Sequence, residues 1–486
     1  MVRSPARCDL RCDDDAVLRD GRCQPLPLAR PVAPPNGARV YSRAVQLCAT
    51  GGLGAPAMQQ RFEVLDARTG AVLHTRTVDT ACAEVPGGLC AVGQTLAWRV
   101  RSVAGAAVSA PSVVWRVRCF PRADDGSLER GVTSFDGAAP GSLAIGTRTG
   151  AIALVTGAPD LRARPAAGTL PSPEAVTADR SLTLLDLQGD GRAALVVGGP
   201  ATDTLRLWRA PTMNSTPEAL LRAPASLGAA PGFGALLTVG RFSDGLGDDL
   251  AVASVRSDRV VVFTGLAGTL RTTLLPVSAA PVALAAGAVM GGAYDDLVVA
   301  TRERMMVFRT APEGVRTSPT VNLPWQSPPV ALDVADVVAD GLADIVVRDG
   351  AALRVYRGSL DGVVGPVQTI AVGAGAMLQC ADLTGDGVAD CAIVVGSELR
   401  VHRGGPGGLS LTPTAVRSVV GIDQGAPAAL VLRDLDGNGF VDATLLSRSA
   451  EEGTLLVYAG ARGGLANEPV VIHVDLKDDV LVGPAR

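Results

Sequence analysis

The chain has 486 residues, with 44 basic and 48 acidic side chains, three histidines and nine cysteines. A formal charge of -4 over that length gives no field that would recruit nucleic acid or a membrane surface, so neither is expected as a partner. No apolar run reaches the roughly 18 residues of a membrane-spanning helix, and membrane insertion is not expected.

The first residues, Met1-Val-Arg-Ser-Pro-Ala-Arg-Cys8, contain no apolar stretch of a secretory signal. Residues 1–29 carry Cys8, Cys12 and Cys23 among Asp and Arg and read as a short Cys-rich segment stapled by disulfides. Zinc would need a companion Cys or His pair at finger spacing, and none follows. So many cysteines without metal spacing point to an oxidising compartment, extracellular or at the cell surface. Two pairs are expected, Cys82 with Cys90 and Cys380 with Cys391; the odd total leaves one thiol over, which a truncated start would explain.

A proline-rich linker, Gln24 to Gly37, leads into residues that alternate as strands up to 120. Leu96-Ala-Trp-Arg-Val-Arg-Ser-Val-Ala-Gly105 and Ser112-Val-Val-Trp-Arg-Val-Arg118 resemble the last two strands of a fibronectin type III domain. The resemblance implies a β-sandwich over 30–120, and a different sandwich of that size is the rival.

Beyond about residue 130 one unit recurs. Its clearest copy is Asp434-Leu-Asp-Gly-Asn-Gly-Phe-Val-Asp442 followed by the strand Ala443-Thr-Leu-Leu446. Asp434, Asp436, Asn438 and Asp442 stand at places 1, 3, 5 and 9, where a tight turn converges oxygens on a hard cation, and the Phe440 carbonyl stands at place 7. An EF-hand shares this opening but needs Glu at place 12, where Leu445 stands in an apolar run.

Aligned on the strand after the loop, place 1 falls at Ser134, Asp186, Arg241, Ala288, Asp336, Asp382 and Asp434, a period of roughly 46–55 residues. A further strand follows each loop: Ile152–Val155, then Leu205-Arg-Leu-Trp208, Val260-Val-Val-Phe263, Met305-Met-Val-Phe308, Leu353-Arg-Val-Tyr356, Leu399-Arg-Val-His402 and Leu455-Leu-Val-Tyr458. Single four-stranded units cannot cover their own faces, and radial stacking covers them.

These repeats resemble the FG-GAP or VCBS family, the calcium-loop β-propeller also found in integrin α heads. The expected fold is therefore all-β: a seven-bladed β-propeller over 130–475, the sandwich and Cys-rich segment before it, and a tail at 476–486. The resemblance implies Ca2+ at loop seven and at loop six (Asp382, Thr384, Asp386, the Val388 carbonyl, Asp390). It implies weaker sites at loop five (Asp336, Asp340, Asp344) and loop two (Asp186, Gln188, Asp190). The ion would brace a turn rather than act as a switch.

The hairpins at the other end of each unit carry Arg148, Arg256, Arg302, Arg348 and Arg448. Radial symmetry would make them a basic rim for an acidic glycan or a partner's carboxylate, since arginine forks bind such groups bidentately. The rival is a set of solvated hairpin tips in a chain whose cations are almost all arginine. His74, His402 and His473 lack catalytic spacing, and no nucleophile elbow, phosphate loop or zinc-protease motif appears. The expected function is a monomeric calcium-stabilised binding or adhesion protein for a glycan or protein ligand, not an enzyme. A polysaccharide lyase or hydrolase on the same scaffold is the alternative.

Overall fold

The computed structural model describes residues within 16–119, 142–170, 181–225 and 232–481, with short interruptions that include 188–193, 209–216, 420–428, 434 and 436–439. The described residues form strands and turns without a helix longer than one residue, and no helix is long and apolar enough to cross a membrane. Two compact units divide the chain, Met1–Cys119 and Phe120–Arg486.

The first unit contains two facing sheets. One holds Arg30–Ala33, Val45–Thr50 and Cys82–Val85. The other runs in the order Ala38–Val40, Trp115–Cys119, Thr95–Ala104, Gln59–Asp66, Val72–Val78. Alternation on Thr95–Ala104 sends Leu96, Trp98 and Val100 inward, where Trp98 meets Trp115 edge-on at 5.7 Å and Phe62 at 6.1 Å. Residues of the outward face pair by charge instead, Glu63 with Arg99 and Arg101.

One cysteine pairing differs from expectation. Cys82 is bonded to Cys48, not to Cys90, because Cys48 and Cys82 stand directly opposite on neighbouring antiparallel strands, with Cα atoms 4.0 Å apart. Nearness along the chain favours Cys90; strand register decides for Cys48. The Cys380–Cys391 bond is present, again between directly paired residues.

The second unit is a succession of four-stranded antiparallel sheets, seven among the described residues. Sheet five is typical: Ala331–Ala335, Asp344–Asp349, Ala352–Ser359 and Gly362–Ala371, each hydrogen-bonded to the next. Second strands are apolar runs without alternation, such as Asp249–Ser254 and Asp296–Thr301, because sheets cover both of their faces. Fourth strands alternate, as in Ala415–Ser418, since only one face is covered.

Successive sheets are linked in a repeated way. In sheets four, five and six the residue before the second strand donates its N–H to the carbonyl at place 1 of the preceding loop: Asp295 to Arg241, Ala343 to Ala288, Ala389 to Asp336. First strands of neighbouring sheets pack against each other, which sets them innermost and makes the arrangement a β-propeller.

The chain's last strand corrects the domain limit. Val480–Leu481 lies beside Ser142–Thr147 as the edge strand of sheet one, while Val470–Asp475 is the fourth strand of sheet seven. The segment expected as a tail thus joins the end of the chain to the start of the repeat array. This pairing gives sheet one its fourth strand from the far end of the chain.

Candidate functional site

The loops between first and second strands bring the aligned acidic residues into a form that spacing alone does not disclose. The aspartate at place 9 is buried in every sheet where it occurs among the described residues: Asp249, Asp296, Asp344, Asp390 and Asp442. Its Oδ2 accepts a backbone N–H from its own loop, from Phe242 at 2.9 Å, Met290 at 2.7 Å, Val337 and Val338 at 3.0 Å, Leu383 at 3.1 Å and Leu435 at 2.7 Å. Its Oδ1 accepts an N–H from just past the third-strand aromatic place, from Gly265, Thr310, Gly358, Gly404 and Gly460 at 2.6–3.1 Å. Each aspartate therefore ties its loop to the following hairpin.

Sheets three and four hold this clamp although their loops have Arg241 and Ala288 at place 1, so the clamp needs no cation. The glycine after the aromatic place follows from the same geometry. A Cβ at Gly358, Gly404 or Gly460 would stand 2.1–2.3 Å from the carbonyl oxygen of Ala343, Ala389 or Val441.

Burial raises the clamp carboxyls above their ordinary value. Asp296 is pushed up to about 6 by burial, with the Asp295 charge adding to it and the Met290 and Thr310 N–H groups opposing it. Asp390 is likewise pushed up to about 6 and Asp344 to about 7, through burial first and then the neighbouring loop carboxylates. Asp336, at place 1 of loop five, is raised to about 6 by burial and by Asp340.

Loop five does not fit the calcium set that the resemblance implies. Asp336 accepts the N–H groups of Asp340 and Gly341, and Asp340 accepts the N–H of Leu342 and an ion pair from Arg357, at 2.6 Å. With Asp344 in the clamp, every carboxylate oxygen of the three already faces a protein N–H. In loop six Asp382 accepts from Gly385 and Asp386, and Asp386 from Val388 and Arg403. Thr384 Oγ1 is buried beside Asp390. Among the described residues no three Asp, Glu, His or Cys side chains converge as metal ligands. Asp186, Gln188 and Asp190 of loop two, and Asp434, Asp436 and Asn438 of loop seven, lie outside the described residues. Phe440 is described, and its ring lies against Gly385 of the preceding loop.

At the opposite end the five arginines do not form one rim. Arg256 and Arg302 are exposed at their hairpin turns. Arg348 is not a rim residue: it is fully buried and donates to the carbonyls of Met377 at 2.8 Å, Val394 at 2.9 Å and Gly373 at 3.1 Å, all in sheet six or leading into it. Burial, and then the charge of Arg400, lower its pKa from the ordinary arginine value. Arg148 lies outside the described residues, and Arg448 is placed there by its backbone only.

The same end of sheet two contains an open pocket of about 430 Å³ between the turn Thr202–Thr204 and the fourth strand. Arg206, Arg222, Asp203 and the two threonines line it. Asp203 adopts a left-handed backbone (φ 52°), and its Oδ1 accepts the N–H of Phe233 in sheet three, which fixes the turn against its neighbour. These residues have no signal in the sequence: Arg206 and Arg222 stand on neighbouring strands, and only the pairing of Thr204 with Arg222 brings them to one pocket.

His402 occupies its packing place with Nδ1 2.8 Å from the Ser410 carbonyl oxygen, and burial lowers its pKa.

No protein-family model matches the chain, and no curated protein matches it. Solved structures are similar to it in fold. A lectin of Agrocybe aegerita that recognises non-reducing terminal N-acetylglucosamine is 16% identical, over 72% of this chain and 99% of the lectin, with a TM-score of 0.49. Rhamnogalacturonan lyase PL11 of Bacillus licheniformis is 12% identical over 94% and 92% of the two chains, with a TM-score of 0.35. The dihydro-heme d1 dehydrogenase NirN is 14% identical over 98% and 78%, with a TM-score of 0.42. The expectation that the chain is not an enzyme does not stand, because two of these three similar structures are enzymes. At such identities none of them transfers a ligand or an activity.

Proposed function

We propose that the chain is an exported or cell-surface protein in which a fibronectin type III-like sandwich precedes a closed seven-bladed propeller, and that the hairpin end of sheets two to four binds an acidic glycan. The observation that carries this reading is the pocket of sheet two. Arg206 and Arg222 line it together with Thr202, Thr204 and Asp203. Guanidinium forks suit the carboxylate of a uronate residue, and hydroxyl and carboxylate acceptors suit its ring hydroxyls. Exposed Arg256 and Arg302 on the next two sheets extend the same charge along a chain of sugars. The two disulfides support export to an oxidising compartment. Calcium belongs to this proposal at loop seven, where Asp434, Asp436, Asn438 and Asp442 stand in the sequence at the spacing of a calcium loop.

The test is an array of acidic and neutral glycans probed with the full chain and with the R206A/R222A variant. Binding confined to acidic glycans and lost in the variant supports the reading. Equal binding by the variant, or a preference for a protein partner in a parallel capture, contradicts it. Chain shortening of a bound polysaccharide in the same incubations would identify processing rather than binding.

A further inference from the structure

We propose that Arg357 and Arg403 are built-in cations that hold loops five and six closed in place of a divalent ion. The two arginines are equivalent. Each follows the residue in the aromatic place of its third strand, Tyr356 or His402, and each reaches the aspartate at place 5 of its own loop. Arg357 Nε lies 2.6 Å from Asp340 Oδ2, and Arg403 Nη2 lies 2.6 Å from Asp386 Oδ2, with Nε at 3.3 Å. A guanidinium at that distance neutralises the carboxylate and repels a second cation from the same pocket. It also takes the oxygen at place 5, which a calcium ion wrapped by the loop requires.

The sequence keeps acid and arginine together elsewhere. Repeat two has Asp190 with Arg209, whereas repeat seven has neutral Asn438 with Ala459, and repeat three has Gly245 with Thr264. Repeat four departs from this, having Arg309 with Gly292; there Arg309 lies close enough to the clamp aspartate Asp296 to favour its ionised form. The ion pairs are part-exposed, with Arg357 and Arg403 side chains 44% and 50% accessible, so they add little to stability. Their effect is on what the loop can bind.

Counting bound calcium on the full chain by native mass spectrometry, beside calorimetry, tests this. D340N/D386N removes the place-5 carboxylates, and R357Q/R403Q removes the guanidinium groups. The wild-type chain and D340N/D386N are expected to bind equal numbers of ions, because loops five and six take none. R357Q/R403Q is expected to bind up to two more and to melt at a calcium-dependent temperature that chelator lowers. Fewer ions on D340N/D386N than on the wild type would overturn the inference, as would an unchanged count on folded R357Q/R403Q. If R357Q/R403Q does not fold, the carboxamide variant decides the question.

Discussion

Gly404 donates its backbone N–H to Asp390 Oδ1 across 3.0 Å, and the same bond joins Gly358 to Asp344 and Gly460 to Asp442. The donor must be a residue without Cβ in these three sheets, because the third strand there approaches the loop backbone too closely for one. G404A places a methyl group against the Ala389 carbonyl and disrupts a buried charge-assisted bond. We expect a loss of about 2–3 kcal/mol in urea unfolding. G405A, one residue on, where a Cβ would meet no atom within 4 Å, is the control and changes stability little.

Arg348 holds sheets five and six together without a described carboxylate partner. R348A would leave the carbonyls of Gly373, Met377 and Val394 in a buried gap. The expected cost is about 3 kcal/mol or more, read from the shift in the urea midpoint. Methionine at this position fills the volume but leaves the carbonyls unpaired, so R348M is expected to recover only part of the loss.

Stability of the calcium-free chain should depend on pH through the clamp. The folded pKa of Asp296 is about 6, above the ordinary 3.8, so the folded state keeps a proton that the unfolded chain releases between those values. The stability this group contributes is therefore full below about pH 4 and is lost as pH rises through 6. The loss for Asp296 is ~3 kcal/mol at most. Asp344 and Asp390 shift in the same direction and add to the slope. Urea midpoints measured from pH 4 to pH 7 are expected to fall, and D296N to fall less steeply than the wild type.

The second strands were legible from sequence because burial on both faces leaves uninterrupted apolar runs. Strands begin at Ser142, Ala194, Asp249, Asp296, Asp344, Asp390 and Asp442, which is place 9 of each aligned loop. Val480–Leu481 was not legible, since two residues carry no periodicity and their pairing is with the far end of the repeat array. Spacing located the place-9 aspartates but could not show that backbone N–H groups meet both of their oxygens. Arg348 was separable in principle from the exposed hairpin arginines: it stands four residues after Asp344, still inside the strand, whereas Arg256 and Arg302 stand seven and six after their aspartates, past the strand ends. Arg206 and Arg222 meet only because their strands pair, Arg206 opposite Leu220 and Thr204 opposite Arg222, and register of that kind is absent from a linear reading.

Hydrogen exchange across Ser142–Thr147 tests most directly that the repeats make one closed ring. In the full chain, amides on the edge facing Val480–Leu481 are expected to exchange at the rate of the sheet interior; in a chain ending at Lys477 they should lose that protection, and the melting temperature should fall. Equal protection in both chains would show that the last strand closes nothing, and would contradict the ring on which the placement of the binding end depends.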